Sequence, residues 1–420
     1  MNLKYLCCIV ACVLLTGVVH AQKKKEKLKT KLSKYYNLEN VDFKHQVPGS
    51  VDFAFGDGFQ ITSKDSTSRL KISFRFQTLF TASKNLSSED KVATNFLVRR
   101  ARLKFDGFAF TPNLVYKVEL GLSNRDMNPT SDFDEVSGAP KIILDAALKW
   151  KFHKNLTLWM GQTKLPGNRE RVISSQKLQF VDRSILNSKF NLDRDIGLQL
   201  HAEFLVHKAL LRFIAAWSMG EGRDITVGNI GGFGYTGRFE FLPMGKFSSS
   251  GDYFSADLSR EQKPKLSLGF TYDFNNNASR VGGRLGNFLE DSDGNYLHSN
   301  LTSIFGDMMF KYNGFSILAE VARKKSSTKN VGFASGTAVS AQMGYLINVP
   351  KFKNVEFALR YSKINPDSGS SLKETAEYTF GISKYIKKHN LKVQSDVSLQ
   401  DVSGSDNFKF IYRLQTEFAF

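Results

Sequence analysis

FKFIYRLQTEFAF, residues 408–420, decides the fold. Phe408, Phe410, Tyr412, Leu414, Thr416, Phe418 and Phe420 fall on one face. Lys409, Arg413, Gln415 and Glu417 fall on the other. A period of two with one apolar and one polar side is the pattern of a β-strand. The same pattern runs back to Leu70. There Leu70, Ile72, Phe74 and Phe76 alternate with Lys71, Ser73, Arg75 and Gln77. Arg100, Arg102, Lys104 and Asp106 oppose Ala101, Leu103 and Phe105, and Leu114, Tyr116, Val118 and Leu120 alternate with Lys117 and Glu119. Ile142, Leu144, Ala146, Leu148, Trp150 and Phe152 alternate with Asp145, Lys149 and Lys151. Counted to the end of the chain, there are about sixteen such segments, an even number in the range of membrane barrels.

The chain has 420 residues, 36 Phe and 14 Tyr but only 3 Trp and 9 Pro. Its mean hydropathy is −0.27. Beyond residue 21 no apolar run approaches the roughly 20 residues that a membrane helix needs. This excludes a helical membrane protein but not a barrel, whose alternating strands average out as polar.

The first residues read as a secretory leader. Lys4 supplies a positive start, Tyr5 to Val19 an apolar stretch, and Val19-His20-Ala21 a cleavage site. The reading divides the chain into a signal peptide at 1–21, a lysine-rich periplasmic tail with a short hairpin or plug at 22–69, and an outer-membrane β-barrel at 70–420. Cys7, Cys8 and Cys12 all lie in the leader, so the mature chain holds no disulfide. A closed sheet supplies stability instead, because every strand is hydrogen-bonded on both edges. Loss of Lys4 with the leader takes the formal net charge from +18 to +17. For an exported chain that excess suits an anionic solute or lipid surface rather than nucleic acid.

Short links, such as Thr111-Pro112-Asn113 and Asn313-Gly314, alternate with long ones, as periplasmic turns alternate with external loops. Leu242 to Lys265 breaks the rule by being long where a short turn is due, and Ala256–Arg260 within it reads as a helical turn. The third long link, Gly161 to Asp195, is GQTKLPGNRERVISSQKLQFVDRSILNSKFNLDRD. Its length points to function, and Leu165, Ile173, Leu178, Phe180, Ile185 and Phe190 give it something to pack with. We expect it to fold inward.

In a barrel of this size the polar face lines a water-filled lumen. Arg100, Arg102 and Lys104 then form a ladder on one wall, with Lys117, Lys149 and Lys151 on the next two strands. Such cations attract anions and repel cations in a confined space. They can equally pair with Asp106, Glu119, Asp145, Glu203 and the loop acids and only hold the wall. Catalysis lacks support: neither G-x-S-x-G nor H-E-x-x-H occurs, and His201 reads as a strand-wall histidine. No cofactor is expected and no metal either, since Glu290-Asp291-Ser292-Asp293-Gly294-Asn295 lacks the spacing and terminal Glu of a calcium loop and reads as a solvated loop tip.

Three blocks carry a family resemblance: FLVRRARLKFDGF (Phe96–Phe108), WMGQTKLPGNRERVISSQKLQFVDRSILNSKFNLDRDIGLQLHAEF (Trp159–Phe204) and SSSGDYFSADLSREQKPKLSLGFTYDF (Ser248–Phe274). They resemble the phosphate-selective porin O and P family, in its Bacteroidetes branch. The resemblance implies a homotrimer of sixteen-stranded barrels, a third external loop narrowing each lumen, and passage of small anionic solutes along Arg and Lys. Arg100, Arg102, Lys164, Arg169, Arg171 and Arg183 are the basic residues of the corresponding region. A terminal Phe on an amphipathic strand also resembles the signal read by the barrel-assembly machinery, here with Tyr412, Phe418 and Phe420. The fold expected is therefore all-β, a transmembrane antiparallel barrel in outer-membrane lipid, and the function an anion-favouring porin. A structural or adhesive barrel that binds a partner through its loops is the alternative, and an outer-membrane hydrolase a third.

Overall fold

The structure, a computed structural model, describes residues 49–86, 89, 91–127, 142–223, 225, 230–329, 331–404 and 408–420. The expected leader and the lysine-rich stretch after it lie outside the described residues. A hairpin comes first, β1 (Val51–Ala54) and β2 (Gly58–Thr62). Then follow β3 (Arg69–Asn85), β4 (Ala93–Ala109), β5 (Thr111–Gly121), β6 (Ile143–His153), β7 (Leu156–Lys164) and β8 (Arg194–Val206). The next five are β9 (Ala209–Ser218), β10 (Gly234–Leu242), β11 (Lys265–Ala278), β12 (Ser299–Tyr312) and β13 (Phe315–Ser326). The last five are β14 (Gly336–Leu346), β15 (Val355–Pro366), β16 (Thr375–Lys387), β17 (Leu391–Val402) and β18 (Lys409–Ala419).

From β3 onward each strand pairs antiparallel with the next, and β18 returns to β3, with Lys409 opposite Asn85 and Ala419 opposite Arg75. The result is a closed antiparallel barrel of sixteen strands, β3 to β18, as the alternation predicts. Phe213, Trp217, Phe270, Tyr272, Phe380 and Leu359 stand exposed on its outer face.

At the seam, β18 covers most of β3, while β2 pairs with its first residues, Ile72 to Arg69. Phe74 N–H donates to Phe420 O at 2.9 Å, and Phe420 N–H donates to Phe74 O at 3.0 Å. The Phe420 ring lies 5.8 Å from that of Phe74 and 6.5 Å from those of Phe53 and Phe59 on the hairpin. Deleting Phe420 removes two seam hydrogen bonds and an aromatic cluster, about 2–3 kcal/mol together. The expected result is a lower yield of closed barrel, measured by heat-modifiable mobility in detergent gels. An unchanged yield would show that this contact does not hold the seam.

Two local departures from strict alternation matter. Glu119 faces Asp145 but Leu120 faces Ile143, so Leu144 is the extra residue of a β-bulge. Ile143 therefore points out, at 40% exposed, and Leu144 is buried, which corrects the expected outward run through Ile142 and Leu144. A second bulge lies on β4, where Gln77 pairs with Arg100 and Thr78 with Val98, leaving Arg99 over.

The long link after β10 enters the barrel from the short-turn end, the periplasmic side of an outer-membrane barrel. Its helical turn is a 3-10 turn at Ser248–Tyr253, not at Ala256–Arg260 as expected. The Lys311 ammonium, on β12, donates to the carbonyls of Gly251, Phe254 and Ala256 at 2.7, 2.8 and 2.7 Å and holds the link in place.

Candidate functional site in the barrel lumen

The third external loop runs from Leu165 to Asp193 between β7 and β8 and folds into the lumen, as expected. Gly161, just before it, has φ +114°, and a Cβ there would stand 2.2 Å from the Ala146 carbonyl oxygen, so only glycine fits the turn-in. The loop has two short helices, α1 (Arg169–Val172) and α2 (Ile185–Phe190). Ser184 caps α2 by accepting the Asn187 N–H at 3.1 Å and donates its own hydroxyl to Glu170 at 2.5 Å.

Apolar packing seats the loop. Leu165, Ile185, Leu186, Phe190 and Leu192 bury against Ala216, Phe305, Ala322, Ala338 and Ile364 of the inner wall. Ile173 and Leu178 join Leu210, Leu242, Phe247, Met309 and Leu318 in a second cluster. The inner wall thus carries apolar patches under the loop, where alternation alone predicts a polar lumen. Wall side chains then satisfy the loop backbone. Glu320 accepts the Glu170 N–H at 2.6 Å, Asp396 accepts the Val181 N–H at 2.9 Å, and the Lys392 ammonium donates to the Leu178 carbonyl at 3.0 Å. Such pairing is what lets a non-strand backbone lie buried in a barrel.

The seven predicted constriction residues separate into four groups. Arg169 is a structural centre. Its side chain is 1% exposed, and it donates to Asp307 at 2.7 Å, Glu240 at 3.1 Å and Ser267 at 2.9 Å. Lys164 is a tether, its ammonium donating to the carbonyls of Arg171 at 2.8 Å and Val172 at 3.2 Å. Arg102 pairs with Asp126 at 3.1 Å, and Lys104 pairs with Asp106 at 2.8 Å. Three are left beside one cavity: Arg100, Arg171 and Arg183.

The wall lysines are equally varied. Lys117 is held by Asp145 at 2.6 Å and Glu119 at 3.1 Å. Lys149 lies over the Trp159 ring, 3.3 Å from its centre, and the His201 ring stacks on Trp159 at 4.0 Å. Lys151 stays half-buried near the turn end of β6. In the 290–295 loop, Asp291 accepts the N–H groups of Asp293 and Asn295 at 2.9 and 2.8 Å. Among the described residues no group of His, Cys, Asp and Glu is placed to hold a metal ion.

The cavity has a volume of about 360 Å³ and is lined by Arg100, Arg171, Arg183 and Arg413, by Asp182 and Glu377, and by Ile185, Asn187, Ser188 and Gln400. Four guanidiniums against two carboxylates leave it net positive. Arg171 is matched by Asp193 at 2.9 Å and Arg413 by Asp396 at 2.9 Å. Asp182 is held by Arg99 at 3.0 Å and Arg413 at 3.4 Å. Burial would raise the Asp182 carboxyl, but Arg99, Arg413 and Arg100 outweigh it and hold it below the ordinary carboxylate range.

Arg100 and Arg183 differ. Arg100 donates to the neutral Gln77 amide at 2.7 Å, and Arg183 to the carbonyls of Glu170 at 2.9 Å and Ile173 at 2.6 Å. Among the described residues no carboxylate lies within ion-pair distance of either. Burial, and next the charge of Arg171, lowers the Arg183 guanidinium to about 9, so it remains a cation at neutral pH. Arg99, Arg413, Glu377 and Gln400 were not among the residues predicted for the site. Simple alternation turns Arg99 outward, and only the bulge brings it to Asp182.

A closed sixteen-stranded barrel with an aromatic outer face, a charged lumen and an inward-folded third loop is the architecture of an outer-membrane porin. The fold places the chain in a Gram-negative outer membrane. Residues 70–213 match the model of the phosphate-selective porin O and P family, the family that the sequence resembles. That span holds the first two resemblance blocks and the cavity arginines Arg100, Arg171 and Arg183. The outer membrane channel DcaP of Acinetobacter baumannii superposes with a TM-score of 0.52 at 12% identity, over 86% of this chain and 99% of that one. An anion-selective porin from Comamonas acidovorans gives 0.51 at 11% identity, over 84% and 100%. OprB of Pseudomonas putida gives 0.51 at 9% identity, over 84% and 94%. At these identities the likeness is one of fold. No curated protein matches the sequence. The fold and the matched family model are those of outer-membrane porins.

Proposed function

We propose that the protein is a passive outer-membrane channel that favours small anions and works as a homotrimer, exported by a leader cleaved after Ala21. The observation that carries the anion preference is the pair Arg100 and Arg183, two cations without carboxylate partners beside one cavity. An anion reaching the cavity meets guanidinium donors that need not first leave an internal acid. Selection in such a path is electrostatic and steric. The family match supports phosphate among the solutes, and Asp182 and Glu377 in the same cavity restrain a preference for high charge.

Reversal potentials across planar bilayers in a salt gradient test this. The expected sign is that of chloride permeating faster than potassium. A potential of the opposite sign rejects the anion reading, and sealed pores without current would move the function to the external loops.

A further inference from the structure

The cavity beside the third loop is larger and chemically more mixed than a bare oxyanion requires. Its volume of about 360 Å³ is room for about a dozen waters, of which a small inorganic anion would displace only a few. Its cationic side is Arg100, Arg171, Arg183 and Arg413. Its other side offers Glu377 and Asp182, which when ionised only accept hydrogen bonds. Glu377 is loosely used: Arg360 reaches it at 3.3 Å, Thr379 at 3.4 Å and Gln400 at 3.5 Å. A carboxylate has about four acceptor sites, so capacity remains.

Asn187 lines the same cavity, is 2% exposed, and its side-chain nitrogen Nδ2 has no hydrogen-bond partner. A buried donor without an acceptor costs free energy that a ligand oxygen would recover. Ile185 adds an apolar contact. A fully ionised inorganic anion gains from the arginines but is repelled by the acids, to which it brings few donors. A ligand with an anionic head and neighbouring hydroxyls satisfies both sides at once.

We infer that this cavity is a binding site for hydroxylated organic anions, the class of sugar acids and sugar phosphates, in preference to inorganic oxyanions. The inference rests on the channel reading above and deepens it. Arginines take the charged head, Glu377 and Gln400 take the hydroxyls, and Asn187 donates to a ring or hydroxyl oxygen.

The test is block of chloride current through the full-length protein in planar bilayers. The probes are glucuronate, glucose 6-phosphate, inorganic phosphate, acetate and glucose. Half-block by glucuronate or glucose 6-phosphate is expected at a concentration about fivefold lower than for the other three, the worth of one net hydrogen bond. Either one alone supports the class and names the head group. Equal block by phosphate, acetate or glucose overturns the inference. Glu377→Gln separates the two claims: it should make the reversal potential more anion-selective while weakening block by the hydroxylated anions. Unchanged block in that variant overturns the inference. If Glu377→Gln fails to fold, Gln400→Ala serves, with the same weakening expected and the same overturning result. A wild-type reversal potential of cationic sign would instead remove the channel reading beneath it.

Discussion

Arg169→Met is expected to unseat the third loop. The Arg169 guanidinium bridges the loop to three wall strands, through Glu240 on β10, Ser267 on β11 and Asp307 on β12. It also donates to the Asp252 carbonyl of the periplasmic link at 3.2 Å, so one side chain joins both inward-folded segments. Removing one partner of a buried ion pair costs about 3–5 kcal/mol, because the charges left behind stay desolvated. Here Arg238 still reaches Asp307 at 2.7 Å and Glu240 at 2.8 Å, and Arg212 reaches Glu240 at 3.1 Å. The low end of that range applies. A shift of about 3 kcal/mol multiplies the population with an unseated loop by about a hundredfold. The barrel itself should persist, since every strand keeps both neighbours. The measurable results are larger and noisier single-channel currents and faster tryptic cleavage between Arg171 and Arg183. Conductance and cleavage like those of the natural protein would mean that apolar packing alone holds the loop.

The barrel and the position of this loop were legible in the sequence for a simple reason. Alternation is local, and Leu156, Leu158 and Met160 before the loop and Ile196, Leu198 and Leu200 after it set its parity without knowledge of any partner. What the basic residues do was not legible, because each role depends on a partner far along the chain. Arg169 reads like Arg183 in sequence, yet its acids are Glu240 and Asp307. Lys164 looks like a constriction charge, yet its ammonium serves loop carbonyls. The bulges at Arg99 and Leu144 escape a strict period of two because one added residue reverses the face of its neighbours. Inner-wall apolar residues such as Phe305 and Ile364 are equally silent, since they make sense only under the loop that covers them.

Selectivity itself is expected to collapse in the double variant Arg100→Gln with Arg183→Gln. These are the two cavity cations without a carboxylate partner, so their loss subtracts positive charge and exposes no new acid. Arg171→Gln would be less clean, because it strips Asp193 of a partner at 2.9 Å. Glutamine keeps a donor for the Glu170 and Ile173 carbonyls, which protects the loop. For an anion about 6 Å away in water-like dielectric, each charge contributes about 0.7 kcal/mol. Two charges give about 1.4 kcal/mol, or about a tenfold fall in anion entry, and the anion-to-cation permeability ratio falls by at least that factor because cations are repelled less. The fall should be largest below about 0.1 M salt and shrink above it, since screening there shortens the reach of each charge to under about 10 Å. Lys104→Gln supplies the contrast. Its ammonium is already matched by Asp106 at 2.8 Å, so removing it should lower the ratio by less than the double variant does. Should the double variant keep the natural ratio at low salt, the selecting charges lie outside this cavity.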